Sequence, residues 1–596
     1  MIRRPAATAA LALLLAVEPA GAQSLADAVK AAVSDAALDA HAREITSRPR
    51  PSGSPGENAA TDYVAATLRA AGVPVEIHEF RAYTSDPVSA EVSVPGTDFA
   101  PDAITMSFSG TTPGVEADLV DLGGLDDLPE LEVGTGERLV VRHAERWAHV
   151  RGRVVLITGQ PRNVPTVVLE ELGAVAAVFV NPEERLNELI VTSTWGTPSL
   201  LNAQRVPALP TAQIRRSDGD RLRTMLEAGA VRVRVRTEVE QGWKPLRMAV
   251  ARVMPEGAGP DTPYVLFGGH IDGWHYGATD EGASNAAMLE LALAFHANRD
   301  RMRRGLVVAW WPGHSNARYG GSTWFADRFF QELRERGRAY VNIDGIGQMD
   351  AKRFSVSTSP ALRALAVDVV AAATGQEAPA GRPGRNSDQS FNGVGLPLLQ
   401  INHTRLAEDG GYWWWHTPDD TWDKIDLGVL RTDTDLYADA LSALVGDPAL
   451  PLDLPAEVAA LREALDTRAR ESAGHLDLDG VRTAAAELAR MVTRLDEVRG
   501  EGGMTPDHEA RLYDVLRPVH RIMFVPGTDH HPDPGLYGAP LPGLEPARIL
   551  AEEAPDSDRY GFARTYLARE VNRVTEAVHE SRQSAAALLA ALDIRW

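Results

Sequence analysis

The sequence predicts an α/β protein on a mainly parallel sheet, with a β-rich insert and a helical C-terminal part. Three observations predict it. Short apolar runs alternate with helical periodicity from 263 to about 447, the pattern of a sheet covered on both faces. From about 90 to 248 short β-type runs take over. Beyond about 454 the apolar spacing is helical.

Taken in order, Leu25 to Ile45 and Ala59 to Ala71 read as helices, separated by a Pro/Gly/Ser loop at 47–55. Leu139–Val141, Arg153–Thr158, Ala176–Val180 and Val231–Val239 read as strands, and Thr166–Leu172 as a short helix. In the alternating region the strands are Tyr264–Phe267, Gly305–Trp311 and Ala339–Ile343. Ala286–His296, Trp324–Arg336 and Pro360–Thr374 are the helices between and after them. The last part holds helices at Glu457–Arg470, Asp479–Glu497 and Ala563–Leu592, with a Pro/Gly-rich loop at 525–545.

The chain has 596 residues, enough for three or four domains. Sixty basic against 82 acidic residues leave a net charge of −22. That argues against nucleic acid or an anionic membrane surface as partner. At the N-terminus, Arg3 and Arg4 precede an apolar run from Ala6 to Val17, and Ala20-Gly21-Ala22 offers a cleavage site. Residues 1–22 therefore read as a signal peptide. The expected mature protein is periplasmic or secreted and has no membrane span, the run being too short to cross a bilayer. An uncleaved N-terminal anchor is the alternative. With no cysteine, any metal must sit on histidine and carboxylate.

Several strand ends carry metal-ligand residue types. Strand 264–267 runs into Gly268-Gly-His-Ile-Asp272, where the glycines permit a tight turn. Asp272 is placed to accept the other ring N–H of His270. Asp280 follows ten residues after His270, just before a helix, and one carboxylate can bridge two metals. Asp344 ends strand 339–343, and His416 lies in an acidic loop. Singly, each has a plain structural explanation, such as a helix cap. Together and in this order they are far more specific.

Gly268-Gly-His-Ile-Asp-Gly-Trp274, Asp280-Glu-Gly-Ala-Ser284, Asn342-Ile-Asp344 and His416-Thr-Pro-Asp-Asp-Thr-Trp-Asp-Lys-Ile-Asp426 resemble the motifs of the di-zinc aminopeptidase family. Ser387-Asp-Gln-Ser-Phe391 and Gly395-Leu-Pro397 resemble its substrate-side loop. The best fit is the branch of glutamate carboxypeptidase II and the transferrin receptor. The resemblance implies a zinc-exopeptidase fold with a catalytic domain in two pieces, 23–90 and 249–450. It implies a protease-associated (apical) insert at 91–248 and a helical dimerisation domain at 451–596, hence a homodimer. One zinc would be held by His270, Asp280 and Asp344. A second would share Asp280 and use His416 plus a glutamate, giving one or two Zn²⁺ per chain.

The family's glutamate pair is missing. The matching strand end reads Ala309-Trp-Trp-Pro-Gly-His-Ser-Asn-Ala-Arg-Tyr-Gly-Gly-Ser322, with His314 at the general base's place and Ser315 at the ligand's. No acidic residue occurs between Gly305 and Ala326. His314 suits either a base near neutral pH or the third ligand of the His416 metal. The expectation is an exopeptidase or amidase acting on a peptide-like substrate, with His314 and Asp272 in the catalytic machinery. Arg385 is a candidate for a substrate carboxylate, and Tyr412 and Trp415 for a pocket wall. The rival is a non-catalytic binding or scaffold dimer on the same fold.

Overall fold

The computed structural model describes residues 23–132, 140–384, 387–527, 530 and 538–595. The signal-peptide reading of 1–22 and the Arg385 assignment lie outside the described residues.

Four parallel strands form the centre. Tyr264–His270 pairs with Gly305–Trp311 on one side and Gly337–Asn342 on the other. Leu398–Thr404 adds beyond Gly337–Asn342, and Arg353–Thr358 runs antiparallel outside it. The three innermost strands are buried along their whole length, which is why they read as unbroken apolar runs. Helices Ala283–Ala297 and Leu427–Gly446 cover one face. Gly320–Arg328 contributes to the core on the other. Register sets His270 opposite Trp311 and Gly268 opposite Asn342. The loops after these strands therefore leave from one edge, where α/β sheets gather their ligands.

Two long antiparallel strands, Val75–Ser93 and Arg232–Val253, flank this sheet and continue into the insert. There Arg232–Val253 pairs with Thr112–Gly124, which leads to the parallel strands Val154–Thr158, Ala176–Val180 and Thr211–Ile214. At the other end, helices Leu454–Glu471, Asp479–Gly500, Pro506–Phe524 and Asp558–Ala591 pack together. Their apolar core is continuous with that of the sheet.

Several elements depart from the sequence expectation. Leu25–Ile45 is two helices, because Ser34 caps a new one at Asp35. Trp324–Arg336 likewise breaks at Phe329. Helix Pro506–Phe524 escapes the sequence reading because Pro518 lies inside it, a residue that normally ends a helix. Among the described residues no helix is long and apolar enough to cross a membrane.

Candidate metal centre

Gly268 and Gly269 are not turn glycines, contrary to the sequence reading. They lie within the strand, and each is required by crowding. A β-carbon on Gly268 would sit 2.4 Å from Trp311 Nε1, and one on Gly269 2.6 Å from Glu281 Oε1. The strand then delivers His270, 1% exposed, at its last position. His270 Nδ1 donates to the backbone carbonyl of Asp272 at 2.7 Å. The expected carboxylate contact is not made, since Asp272 Oδ1 is 3.9 Å away. The carboxylate instead holds the neighbouring strand-end loop. It accepts from the amides of His314 (2.9 Å) and Ser315 (3.0 Å) and from Ser52 Oγ (2.7 Å).

Asp280 sits in an irregular turn at Ala278–Gly282, with φ −123° and ψ 68°. Two buried groups hold that turn. Asp420, from the motif after His416, accepts from Thr279 N and Oγ1, both at 2.9 Å, and from Asp280 N at 3.1 Å. Arg50, fully buried, donates to the carbonyls of Ile271 (3.0 Å), Gly277 (3.0 Å) and Tyr276. Asp426, at the end of the same motif, caps helix Leu427–Gly446.

The two oxygens of Asp280 then face two imidazoles. Oδ1 is 3.4 Å from His270 Nε2, and Oδ2 is 3.1 Å from His416 Nε2. Asp344 Oδ1 is 4.0 Å from the same His270 nitrogen. His416 Nδ1 donates to the backbone carbonyl of Glu188 at 2.6 Å. Carbonyl partners fix Nδ1 of both rings as a donor, which leaves both Nε2 atoms facing carboxylate oxygens, where a proton or a metal must sit between them. His270 Nε2 is buried without a hydrogen bond of good geometry. Such a set of facing acceptors calls for a cation, and imidazole with carboxylate is a donor set that suits zinc. Burial disfavours charge at these positions. Even so, Asp280, Glu281 and Asp344 hold His270 well above the usual imidazole range. Against the same burial, His416 and His270 hold Asp280 well below the usual carboxylate range. The residues present therefore fit a metal.

His314 faces the His270 side. Its ring stacks on His270, with centroids 3.8 Å apart at 22°, and its Nδ1 is 2.9 Å from Asp388 Oδ2. His270, His314 and Asp344 each offer a ligand atom within 4.8 Å of the others. The sequence reading placed His314 with the His416 metal if it were a ligand; the structure groups it with His270 and Asp344. Burial, then the neighbouring His270, push the His314 imidazole down to about 3. Burial raises Asp388 to about 6, and Ser322 Oγ donates to its other oxygen at 2.6 Å. Ser315 Oγ is buried without a hydrogen bond.

The pocket-wall residues divide. Trp415 stacks on His416, with centroids 3.6 Å apart. Tyr412 is tied down, its hydroxyl 2.8 Å from Thr279 Oγ1. His403, unassigned from sequence, bonds Asp433 at 2.8 Å as part of the core. Arg50, Ser52, Glu188, Asp388 and Asp420 were not singled out in the sequence. Asp388 and Asp420 lie inside motifs that were quoted, so position within a motif was a usable signal. Arg50 in its Pro/Ser/Gly loop carries none.

Residues 250–441 match the model of peptidase family M28. This domain belongs to that family. The M28 domain and its surroundings are similar to probable glutamate carboxypeptidase VP8 of Zea mays, 24% identical over 553 residues, covering 78% of this chain and 75% of the relative. That relative supports the resemblance to the glutamate carboxypeptidase branch read from the motifs. A shorter stretch of 93 residues is 36% identical to aminopeptidase NAALADL1 of Mus musculus, covering 15% of this chain and 12% of the relative. Among solved structures, the aminopeptidase from Aneurinibacillus sp. strain AM-1 superposes with a TM-score of 0.55 at 21% identity, covering 71% of this chain and 97% of that one. The zinc aminopeptidase BSAP from Bacillus subtilis gives 0.52 at 17% identity, covering 70% and 96%. The two structures show the same fold. The M28 relatives support a metal-dependent peptidase.

Proposed function

We propose that the chain is an exported, zinc-dependent exopeptidase that removes a terminal residue bearing a free carboxylate. The observation that carries the reading is the convergence of His270, Asp280, Asp344 and His416, with two imidazole Nε2 atoms facing one carboxylate. Zinc held there supplies Lewis acidity toward a peptide carbonyl. The chain's own residues do the rest. Asp280 presents one oxygen to each side of the site. Asp272 and Asp420 fix the loops that carry His314 and Asp280. The apical insert covers the site, and its Glu188 carbonyl orients His416.

The polarity rests on two arginines beside the metal centre. Arg318 is 9% exposed, its Nε has no hydrogen bond, and Nη1 donates to Tyr319 Oη at 2.7 Å. Arg162, from the insert, lies 5.1 Å over the Trp415 ring that stacks on His416. The charge of Arg318 lies near enough to Arg162 to oppose its own. A pair of like charges walled by Tyr319, Trp195 and Trp415 suits an anion, and guanidinium binds carboxylate in forked fashion. The Zea mays relative's name, a probable glutamate carboxypeptidase, points the same way.

The test is turnover of zinc-loaded protein on N-acylated dipeptides with a free C-terminus and on the matching amides. Free acids should be cleaved at least tenfold faster than amides, and a chelator should abolish both rates. Equal rates would remove the polarity. No turnover of any peptide would favour the second reading, a non-catalytic binding dimer, which the His314-Ser315 replacement of two glutamates supports. Cleavage before Gln23 would be seen by N-terminal sequencing of secreted protein. Homodimerisation through residues 451–596 would be seen by light scattering.

A further inference from the structure

We infer that the centre is built for one tightly held metal ion, with His314 as a protein ligand beside His270 and Asp344. The inference rests on the metal-centre reading above and names how that site is filled.

Three features of this chain lead there. First, the ring nitrogens of His314 are already allotted. Asp388 takes Nδ1 at 2.9 Å, which leaves Nε2 as the donor for a metal. An imidazole whose far N–H is bound by a carboxylate is the usual outer support of a metal ligand. Second, the ligand atoms are assembled. His314 lies parallel to His270, 3.8 Å away, and together with Asp344 they offer three protein ligand atoms within 4.8 Å. Asp280 Oδ1 borders the same space, 3.4 Å from His270 Nε2. Three protein ligands and an open position are what a catalytic zinc requires.

Third, the other side of Asp280 is poor. His416 Nε2 and Asp280 Oδ2 meet at 3.1 Å, and the residue that stands at the family ligand's place in the sequence is Ser315. A neutral hydroxyl is a weak zinc donor beside carboxylate or imidazole. His416 then lies outside that metal's ligands, held from behind by Glu188 and stacked on Trp415.

Metal counting decides it. Full-length protein is loaded with excess zinc, dialysed against metal-free buffer, and assayed for zinc per chain. Cobalt-loaded protein is followed by its visible absorption. Wild type should keep one zinc per chain. His314→Ala should lose it, and the cobalt bands should change. His416→Ala should retain one zinc. Asp388→Asn, which keeps the ligand and weakens its support, should lower affinity roughly 10–100-fold. Matching circular dichroism of the metal-free proteins separates ligand loss from misfolding. Two zinc ions per wild-type chain, or an unchanged cobalt spectrum and zinc content in His314→Ala, would overturn the inference and leave the exopeptidase reading standing. No zinc in wild type would overturn both.

Discussion

The two sides of the Asp280 carboxylate are built differently. On one side, His270 ends a buried parallel strand, Asp344 follows the neighbouring strand, and His314 leaves the next. All three inherit their position from sheet register, and cross-loop hydrogen bonds to Asp272 lock the arrangement. On the other side, His416 sits in a loop at φ 58°, a left-handed conformation that few non-glycine residues adopt. Its ring is oriented by a carbonyl 228 positions away in the chain. A regular scaffold supplies many ligands with little strain, whereas a loop supplies one and depends on a contact from residue 188, far off in the chain.

The sharpest way to break the comparison is His270→Ala. It should reduce zinc affinity well beyond the roughly 10–100-fold that outer supports contribute, measured by competition with a chelator of known affinity. Next is Arg50→Met, which strands the carbonyls of Ile271, Tyr276 and Gly277 in the interior. At about 1–3 kcal/mol for each buried unsatisfied group, urea denaturation should show a loss on the order of 3 kcal/mol or more. Asp420→Ala frees the Asp280 turn shared by both sides, and zinc affinity should fall about 10–100-fold. If it leaves affinity unchanged, the turn holds itself and Asp420 is not a support. Arg318→Ala should raise KM for free-acid peptides about tenfold, the scale of one charge-assisted hydrogen bond, with little change in kcat or zinc content. The smallest effect belongs to Glu188→Ala. His416 uses the main chain there, so metal content should not change and turnover should shift by no more than about twofold, given the small worth of a partly exposed ion pair such as Glu188 with His275. A larger loss would show that the carboxylate itself acts at the site.

The sheet and its ligand-bearing ends were legible because buried parallel strands leave long apolar runs with polar residues at their termini. His270 and Asp344 needed little more than that pattern. The family motifs added Asp280 and His416, and the His314-Ser315 departure was visible against them. Asp272 was found, but its role was misplaced, since sequence proximity to His270 suggested a side-chain contact that the backbone makes instead. Arg50 and Glu188 were not legible. One donates only to main-chain carbonyls and the other offers one, and neither leaves a compositional trace. Arg162 and Arg318 come together from positions 156 residues apart, and only the folded insert sets one against the other.

One of the insert's holds on the site runs through its main chain. Glu188 exchanges backbone contacts with His416, its carbonyl receiving the ring at 2.6 Å and its amide donating to the His416 carbonyl at 3.1 Å. That exchange uses no side-chain atom of Glu188, so the residue at 188 can vary while its backbone path is kept. An insertion or deletion of a single residue near 188 is another matter. It would shift the register of the grip and detune the histidine from outside the M28 domain, without altering one ligand.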